Sequence, residues 1–201
     1  VKARGIHLFS DEMYRFLELE PRDRLPSACE LYEKAITLFG MSKAFGMAGT
    51  RIGWLVTKDK ALYERLAELK DYTTICSAAP SEVLALIGLR AKETILSRHR
   101  DRIASNLKLL DAFFQSHSDS FSWIRPKAGT VGFPGFLRAE SPADFCEKLV
   151  RTAGVMLLPS SVYEYERPHL RIGFGRENMP EALRRLEDFL KKTPSKTANL
   201  R

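Results

Sequence analysis

One segment of the chain, residues 40–54, places a lysine and an arginine in a glycine-rich turn between two apolar runs. The run 35–39 (AITLF) leads into the turn and the run 52–56 (IGWLV) leads out of it, and both have the composition of buried strands. Lys43 precedes Arg51 by eight residues. A lysine buried without a partner is rare, and burial lowers its pKa, which makes it a nucleophile or a base. The segment therefore predicts two strands joined by a loop that carries chemistry.

The composition excludes several classes of protein. With 201 residues, 44% of them hydrophobic and 28% charged, the chain fits one large or two small globular domains. Its apolar runs are too short to cross a bilayer, so we expect a cytoplasmic protein with no membrane partner. The three cysteines are widely spaced and fit reduced thiols, and the four histidines lack metal-ligand spacing, so no metal is expected. The net charge of +7 comes without interleaved aromatic residues or a known module, so we expect no nucleic-acid partner.

Strand-like and helical patterns alternate along the chain. Strands are predicted at residues 5–9, 35–39, 51–57, 121–124, 130–137, 155–158 and 169–174. Helices are predicted at residues 58–71, 81–96, 97–116, 142–152 and 180–191. This order predicts an α/β fold with a mostly parallel sheet in the first part and a small α/β layer in the second. We place the domain limits at 1–96 and 97–192, the second domain including a long linking helix, followed by a flexible basic tail at 193–201.

Four further polar residues lie beside or within predicted strands, and each has two interpretations. Asp11 and Tyr14 follow the first strand, either as a helix N-cap with a core tyrosine or as a pair at the carboxyl edge of the sheet, where ligands bind in open α/β folds. Arg51 is either a partner in a surface ion pair or a phosphate ligand. Arg171 lies in an otherwise apolar strand, where an internal ion pair or a captured carboxylate would explain it. Lys43 itself is either a surface lysine or a group that bonds to a carbonyl.

The order and spacing of these motifs resemble those of the fold type I, pyridoxal 5′-phosphate (PLP) dependent aminotransferases of class I and II. Five segments carry the resemblance: the cofactor-ring motif at 10–15 (SDEMYR), the Schiff-base motif at 42–53 (SKAFGMAGTRIG), small-domain signatures at 129–134 and 158–163, and the substrate-carboxylate motif at 171–174 (RIGF). The resemblance covers nearly the whole chain in the family's order. It implies that residues 1–96 are the C-terminal part of the large PLP-binding domain and that residues 97–192 are the small C-terminal domain.

The resemblance also implies a role for each residue of the cofactor motifs. Lys43 would form the Schiff base with PLP and move the proton of the substrate Cα. Asp11 would pair with the pyridine nitrogen, which strengthens the ring as an electron sink. Tyr14 would donate a hydrogen bond to the phenolic oxygen of the ring, and Ser42 and Arg51 would contact the phosphate.

The substrate side of the resemblance rests on Arg171, which would bind the α-carboxylate of the amino acid. The expected reaction is amino-group transfer between an amino acid and a 2-oxo acid, in an enzyme that is a homodimer, as is usual in the family. Other PLP reactions, such as β-elimination or ring-forming elimination, use the same residues and remain open.

Two departures from the family pattern qualify this expectation. The residue three before the lysine is usually Ser or Thr, whose hydroxyl helps to bind the phosphate, but here it is Gly40. The resemblance also covers only the C-terminal half of the family, and the other half supplies more phosphate ligands, a ring stacked on the cofactor and an Asn. We therefore expect the chain, which opens on Val1, to be part of a longer enzyme and to bind PLP weakly by itself. The alternative is a non-catalytic remnant of such an enzyme.

Overall fold

The computed structural model describes residues 1–193, which form two compact units. The first unit comprises Val1–Arg100 and Lys127–Gly129, and the second comprises Asp101–Pro126 and the chain from Thr130 onward. The domain limits at residues 96 and 192 stay a prediction. The flexible basic tail at 193–201 lies, apart from its first residue, outside the described residues.

Strands and helices alternate along the described chain, which confirms the α/β fold class. The strands are β1 (Leu8–Asp11), β2 (Ala35–Gly40), β3 (Gly53–Thr57), β4 (Phe121–Ser122), β5 (Val131–Gly132), β6 (Gly135–Phe136), β7 (Leu158–Pro159) and β8 (Leu170–Gly173). The helices are α1 (Ala28–Leu31), α2 (Lys60–Thr73), α3 (Ala79–Arg90), α4 (Lys92–Ser116), α5 (Pro142–Ala153) and α6 (Met179–Lys192). None of the helices within residues 1–193 is long and apolar enough to pass through a membrane.

The first unit contains a three-stranded sheet in the order β1-β2-β3. β1 and β2 are parallel, with Asp11 opposite Leu38, whereas β2 and β3 are antiparallel, with Gly40 opposite Gly53. The sheet is therefore mixed, and only one of its two pairings matches the mostly parallel sheet that was predicted. The reason is that residues 41–52 contain no crossover helix, and such a connection returns the chain antiparallel to β2.

Among the boundaries in the first unit that differ from the sequence prediction, two have a clear local cause. The first strand begins at Leu8 rather than at residue 5, because Gly5 has a φ of 62° and closes a 3₁₀ turn at Lys2–Arg4. The predicted helix at 81–96 ends earlier, since the non-helical residue Ala91 separates α3 from α4. The linking helix α4 is accordingly five residues longer at its start than the predicted 97–116.

In the second unit α5 contacts both α6 and β7, and the strands form two small sheets in the orders β4-β6 and β5-β8-β7. Its core is aromatic and aliphatic, and its largest fully buried side chains are those of Phe136, Phe145, Phe174, Leu107, Leu110, Leu149, Ile103 and Leu170. The predicted strand at 130–137 is instead two short strands in different sheets. Pro134 separates them, because proline has no N–H for the ladder.

Candidate active site

The topology of the first sheet brings five of the predicted site residues to one edge. Asp11 is the last residue of β1, and Tyr14 follows it in a turn. Ser42 and Lys43 come two and three residues after the end of β2, and Arg51 comes two residues before β3 begins. Because parallel β1 and β2 end at the same edge and antiparallel β3 starts there, the loops after β1 and β2 meet at this edge.

The turn after β1 positions Asp11 and Tyr14. The Asp11 Oδ1 accepts a hydrogen bond from the backbone N–H of Met13 at 3.0 Å, an Asx turn. No helix follows, so the alternative of a helix N-cap with a core tyrosine is wrong: Asp11 is exposed and Tyr14 is half-buried. The Tyr14 ring lies against the backbone of Gly129, where an added Cβ would be 3.4 Å from Cδ1 of the ring. The carboxylate and the phenol therefore both remain accessible at the edge.

Lys43 is exposed although three residues close to it in the loop are buried. Met41, Ala44 and Phe45 are 0%, 0% and 3% exposed, so the backbone on both sides of the lysine is packed into the unit. The lysine side chain leaves this packed loop, and its Nζ lies 5.9 Å from the centroid of the Tyr14 ring. Lys43 is therefore not a buried lysine.

The close approach of the neighbouring strand explains why residue 40 is glycine here and not the serine or threonine of the family pattern. A Cβ added to Gly40 would lie 2.8 Å from Cα of Gly53 and 2.8 Å from the carbonyl oxygen of Ile52. Both are backbone atoms, so neither can rotate away as a side chain could. A serine or threonine would therefore force β2 and β3 apart, and this position supplies no hydroxyl for a phosphate.

Arg51 adopts the left-handed conformation with a φ of 56°. Its Nη1 donates a hydrogen bond to the carbonyl oxygen of Ala48 at 3.2 Å, and the side chain is exposed. Within the described part of its unit it has no carboxylate partner, so the alternative of a surface ion pair is not found there. The guanidinium has further N–H donors that an anion can use.

The second unit contains Arg171, which lies on β8 opposite Leu158 of β7. The arginine is half-buried, and its Nη1 donates a hydrogen bond to the hydroxyl oxygen of Tyr163 at 2.8 Å. Among the described residues of this unit no carboxylate pairs with Arg171, so the internal ion pair is not found either. The guanidinium is thus oriented by a neutral partner and keeps donors for a carboxylate from outside.

The hydrogen bond between Tyr163 and Arg171 was not anticipated from the sequence. Tyr163 ends the 3₁₀ turn Ser160–Tyr163, and the antiparallel pairing of β7 with β8 brings this turn beside the arginine. The only signal in the sequence was the position of Tyr163 within the small-domain signature at 158–163.

Comparison with known proteins places this architecture among PLP-dependent enzymes. The chain superposes on a PLP-dependent aminotransferase from Streptococcus suis with a TM-score of 0.87 and 29% identity, covering 96% of this chain and 50% of that one. Residues 1–186 match the family model for aminotransferase class I and II, so the chain belongs to that family. The family and this solved structure indicate PLP as the cofactor. The predicted family and cofactor are confirmed.

Two curated relatives show how much of a complete sequence this chain matches. The aspartate aminotransferase of Thermotoga maritima is 24% identical over 196 residues, which are 94% of this chain and 48% of the relative. The capreomycidine synthase of Streptomyces vinaceus is 24% identical over 143 residues, which are 71% of this chain and 36% of the relative. The chain thus spans about half the length of the aminotransferase and less of the synthase.

The donor set at the edge of the first sheet fits PLP. The cofactor requires an amine for its aldehyde carbon, a carboxylate for its ring nitrogen, a hydroxyl for its phenolic oxygen and a cation for its phosphate. Lys43, Asp11, Tyr14 and Arg51 supply one of each in the same unit. Within the described residues of that unit, Asp11, Lys43 and Arg51 form no ion pair that would compete with the cofactor.

Proposed function

We propose that this chain carries the lysine, the cofactor contacts and the substrate arginine of a PLP-dependent aminotransferase, which transfers an amino group between an amino acid and a 2-oxo acid. The observation that supports this most directly is the grouping of Asp11, Tyr14, Ser42, Lys43 and Arg51 at one edge of one sheet. Because the chain spans about half the length of its aminotransferase relatives, the activity proposed is that of a protein that includes it.

Each residue at the edge has a chemical task in this proposal. The Asp11 carboxylate pairs with the protonated ring nitrogen of PLP, and the Tyr14 hydroxyl donates a hydrogen bond to the phenolic oxygen. Ser42 and Arg51 bind the phosphate, to which a guanidinium is well shaped. When bound, PLP supplies a conjugated ring that stabilises negative charge at the substrate Cα. Lys43 holds the cofactor through its amine and moves the proton at the substrate Cα.

Arg171 has the task of orienting the substrate. Its remaining N–H donors bind the α-carboxylate, while Tyr163 holds Nη1 in place. Replacing Tyr163 by Phe removes only this hydrogen bond, whose net value of about 0.5–1.5 kcal/mol corresponds to a roughly 2- to 13-fold loss of carboxylate affinity. Titration with succinate, followed by the NMR signal of the Arg171 side chain, measures the loss. Tyr165→Phe is the matched control, because the Tyr165 ring contacts Phe133 and not the arginine; an equal effect of both variants would contradict the task given to Tyr163.

The proposal is tested by mapping the lysine that bonds to PLP. The protein is incubated with PLP up to millimolar concentration, reduced with borohydride and digested, and the labelled peptides are identified by mass spectrometry. We expect the label on Lys43, and we expect Lys43→Ala to abolish the main labelled peptide. Lys58→Ala is the matched control, because Lys58 is an exposed lysine just beyond β3.

Two results of this experiment would contradict parts of the proposal. Label spread evenly over the surface lysines would contradict the assignment of Lys43. Tight and stoichiometric binding of PLP would contradict our proposal that the 201-residue chain binds the cofactor only weakly by itself.

A second candidate is another PLP reaction on an amino acid, such as β-elimination or ring-forming elimination. The observation that favours it is the match to a relative named capreomycidine synthase rather than aminotransferase. The proposed site residues serve either reaction, so they do not separate the two. Dependence on an amino acceptor does: an aminotransferase consumes one 2-oxo acid for each amino acid, whereas product formation without any 2-oxo acid would favour the second candidate.

We also propose that the enzyme is a cytoplasmic homodimer. The observation that supports an assembly is on α3, where five apolar side chains are exposed: Val83, Leu84, Leu86, Ile87 and Leu89. Analytical ultracentrifugation tests the assembly, and a monomer at all concentrations would contradict it.

A further inference from the structure

His99 lies against the loop that carries Lys43. It is a half-buried residue of α4, and its Nδ1 is 2.9 Å from the carbonyl oxygen of Ala44, the residue that follows the lysine. A carbonyl oxygen can only accept, so the proton of this hydrogen bond is on Nδ1. The bond joins residues that are 55 positions apart in the chain but belong to the same unit.

The imidazole also lies against one side of the Gly46 backbone. A Cβ added to Gly46 would lie 2.7 Å from Cε1 and 3.2 Å from Nε2 of His99. Gly46 has a φ of 67° as well, a conformation that favours glycine. A side chain at this position would therefore strain the turn and push the imidazole away from Ala44.

The Ala44 carbonyl depends on His99. Ala44 is 0% exposed, so water does not replace a lost partner easily, and a buried carbonyl without a partner is costly. The neighbouring parts of the loop are held by its own backbone, since the Gly46 N–H donates to the Lys43 carbonyl at 3.1 Å and the Met47 N–H donates to the Met41 carbonyl at 2.9 Å. The Ala44 carbonyl is instead held by a side chain from a helix that is distant in sequence.

We propose that His99 is a positioning residue for Lys43. By holding the Ala44 carbonyl, it fixes the backbone from which the lysine side chain projects and keeps the amine beside the Tyr14 ring, 5.9 Å from its centroid. The inference rests on the proposed function of Lys43. It matters for that function because a displacement of about 1 Å at a reacting group can lower a rate on the order of 100-fold.

Two substitutions separate the hydrogen bond from the bulk of the side chain. His99→Asn keeps a donor, because the amide nitrogen of Asn occupies nearly the position of Nδ1, whereas His99→Leu keeps the bulk without a donor. We expect the amide hydrogens of Gly46 and Met47 to exchange about 5- to 150-fold faster in His99→Leu, the range that corresponds to one unpaired buried carbonyl. We expect His99→Asn to restore most of the protection.

The second measurement is the yield of borohydride-trapped PLP at Lys43, relative to an exposed lysine such as Lys58. We expect it to fall about 10-fold or more in His99→Leu and to stay within about 2-fold of the unaltered protein in His99→Asn. His117→Leu is the matched control. His117 is also a half-buried histidine, it follows directly after α4, and its Nδ1 forms a hydrogen bond of 2.8 Å with the carbonyl oxygen of Phe113. This control should change neither measurement.

The possible results decide the question in each case. Unchanged exchange at residues 43–47 in His99→Leu would overturn the proposal. If the amide hydrogens exchange faster throughout the chain in His99→Leu, that variant is destabilised as a whole and His99→Asn becomes the deciding variant. Failure of His99→Asn to restore the protection of the loop and the labelling of Lys43 would overturn the proposal. If Lys43 is not labelled even in the unaltered protein, the proposed function fails, while the exchange measurement still decides whether His99 holds the loop.

Discussion

Replacing Gly40 by serine, the residue type that the family usually has there, should destabilise this chain. The added Cβ would lie 2.8 Å from Cα of Gly53 and 2.8 Å from the carbonyl oxygen of Ile52, so β2 and β3 must separate at their last pair. Overpacking of this kind costs about 1–3 kcal/mol. The lower entropy of the unfolded chain offsets about 0.4–1 kcal/mol of that cost. Taking the middle of both ranges, we expect a net loss of about 1.3 kcal/mol, or about 3–5 °C in melting temperature for a chain of this size.

Urea unfolding measures this loss if the signal comes from the sheet. Trp54 lies on β3 opposite Phe39, and their ring centroids are 5.3 Å apart. In a Trp123→Phe background the fluorescence reports Trp54 alone, because the sequence contains two tryptophans. The matched control is Gly49→Ser in the same loop, where an added Cβ meets no atom within 4 Å.

Gly40→Ser should therefore be less stable to urea than Gly49→Ser. We expect the free energy of unfolding of Gly49→Ser to stay within about 0.5 kcal/mol of that of the unaltered protein, as is usual for exposed sites. Its urea midpoint should therefore barely change. Equal midpoints for both variants would refute the argument that the close approach of β2 to β3 excludes a side chain at Gly40. A Gly40→Ser variant that binds PLP more tightly without losing stability would refute it as well.

Two further predictions concern titrating groups in the second unit. Burial raises the pKa of the Cys146 thiol to about 11, so iodoacetamide at pH 8 should alkylate exposed Cys76 much faster, and the rate at Cys146 should rise with pH; equal rates, measured by mass spectrometry, would contradict this. Hydrogen bonds from Arg184 and Arg185 lower the pKa of Glu181 from 4.5 to about 2. Because the folded-state pKa is depressed, the carboxylate stabilises the fold above about pH 4.5 and loses that effect as the pH falls through about 2. Glu181→Gln should therefore lose less stability in this window, as followed by circular dichroism.

Elements with strong local signals were predicted well. The run 35–39 became β2, which extends by one residue to Gly40, and its apolar side chains are buried (Ala35 and Phe39) or half-buried (Ile36 and Leu38) in the sheet. The helix predicted at 142–152 became Pro142–Ala153, since Ser141 caps its start and Gly154 ends it with a φ of 65°. Both ends of this helix are marked by residue types that act locally.

Elements whose form depends on distant parts of the chain were predicted less well. The sheet of the first part was expected to be mostly parallel, but β3 is antiparallel to β2, because the direction of pairing depends on the connection and not on the strand itself. The run 130–137 has the composition of one strand but divides at Pro134 into strands of two sheets. Neither outcome follows from the apolar pattern of these residues.

By itself the sequence determined the family of the chain and the identity of its candidate site residues, because motifs such as SKAFGMAGTRIG depend on residue types at fixed spacing. Only the tertiary structure decided what surrounds them. It is the close approach of two strands that requires Gly40, the pairing of β7 with β8 that brings Tyr163 to Arg171, and the packing of α4 that brings His99 to the lysine loop. These contacts join residues that lie far apart in the chain or in separate elements, and no local pattern encodes a distance between two such residues.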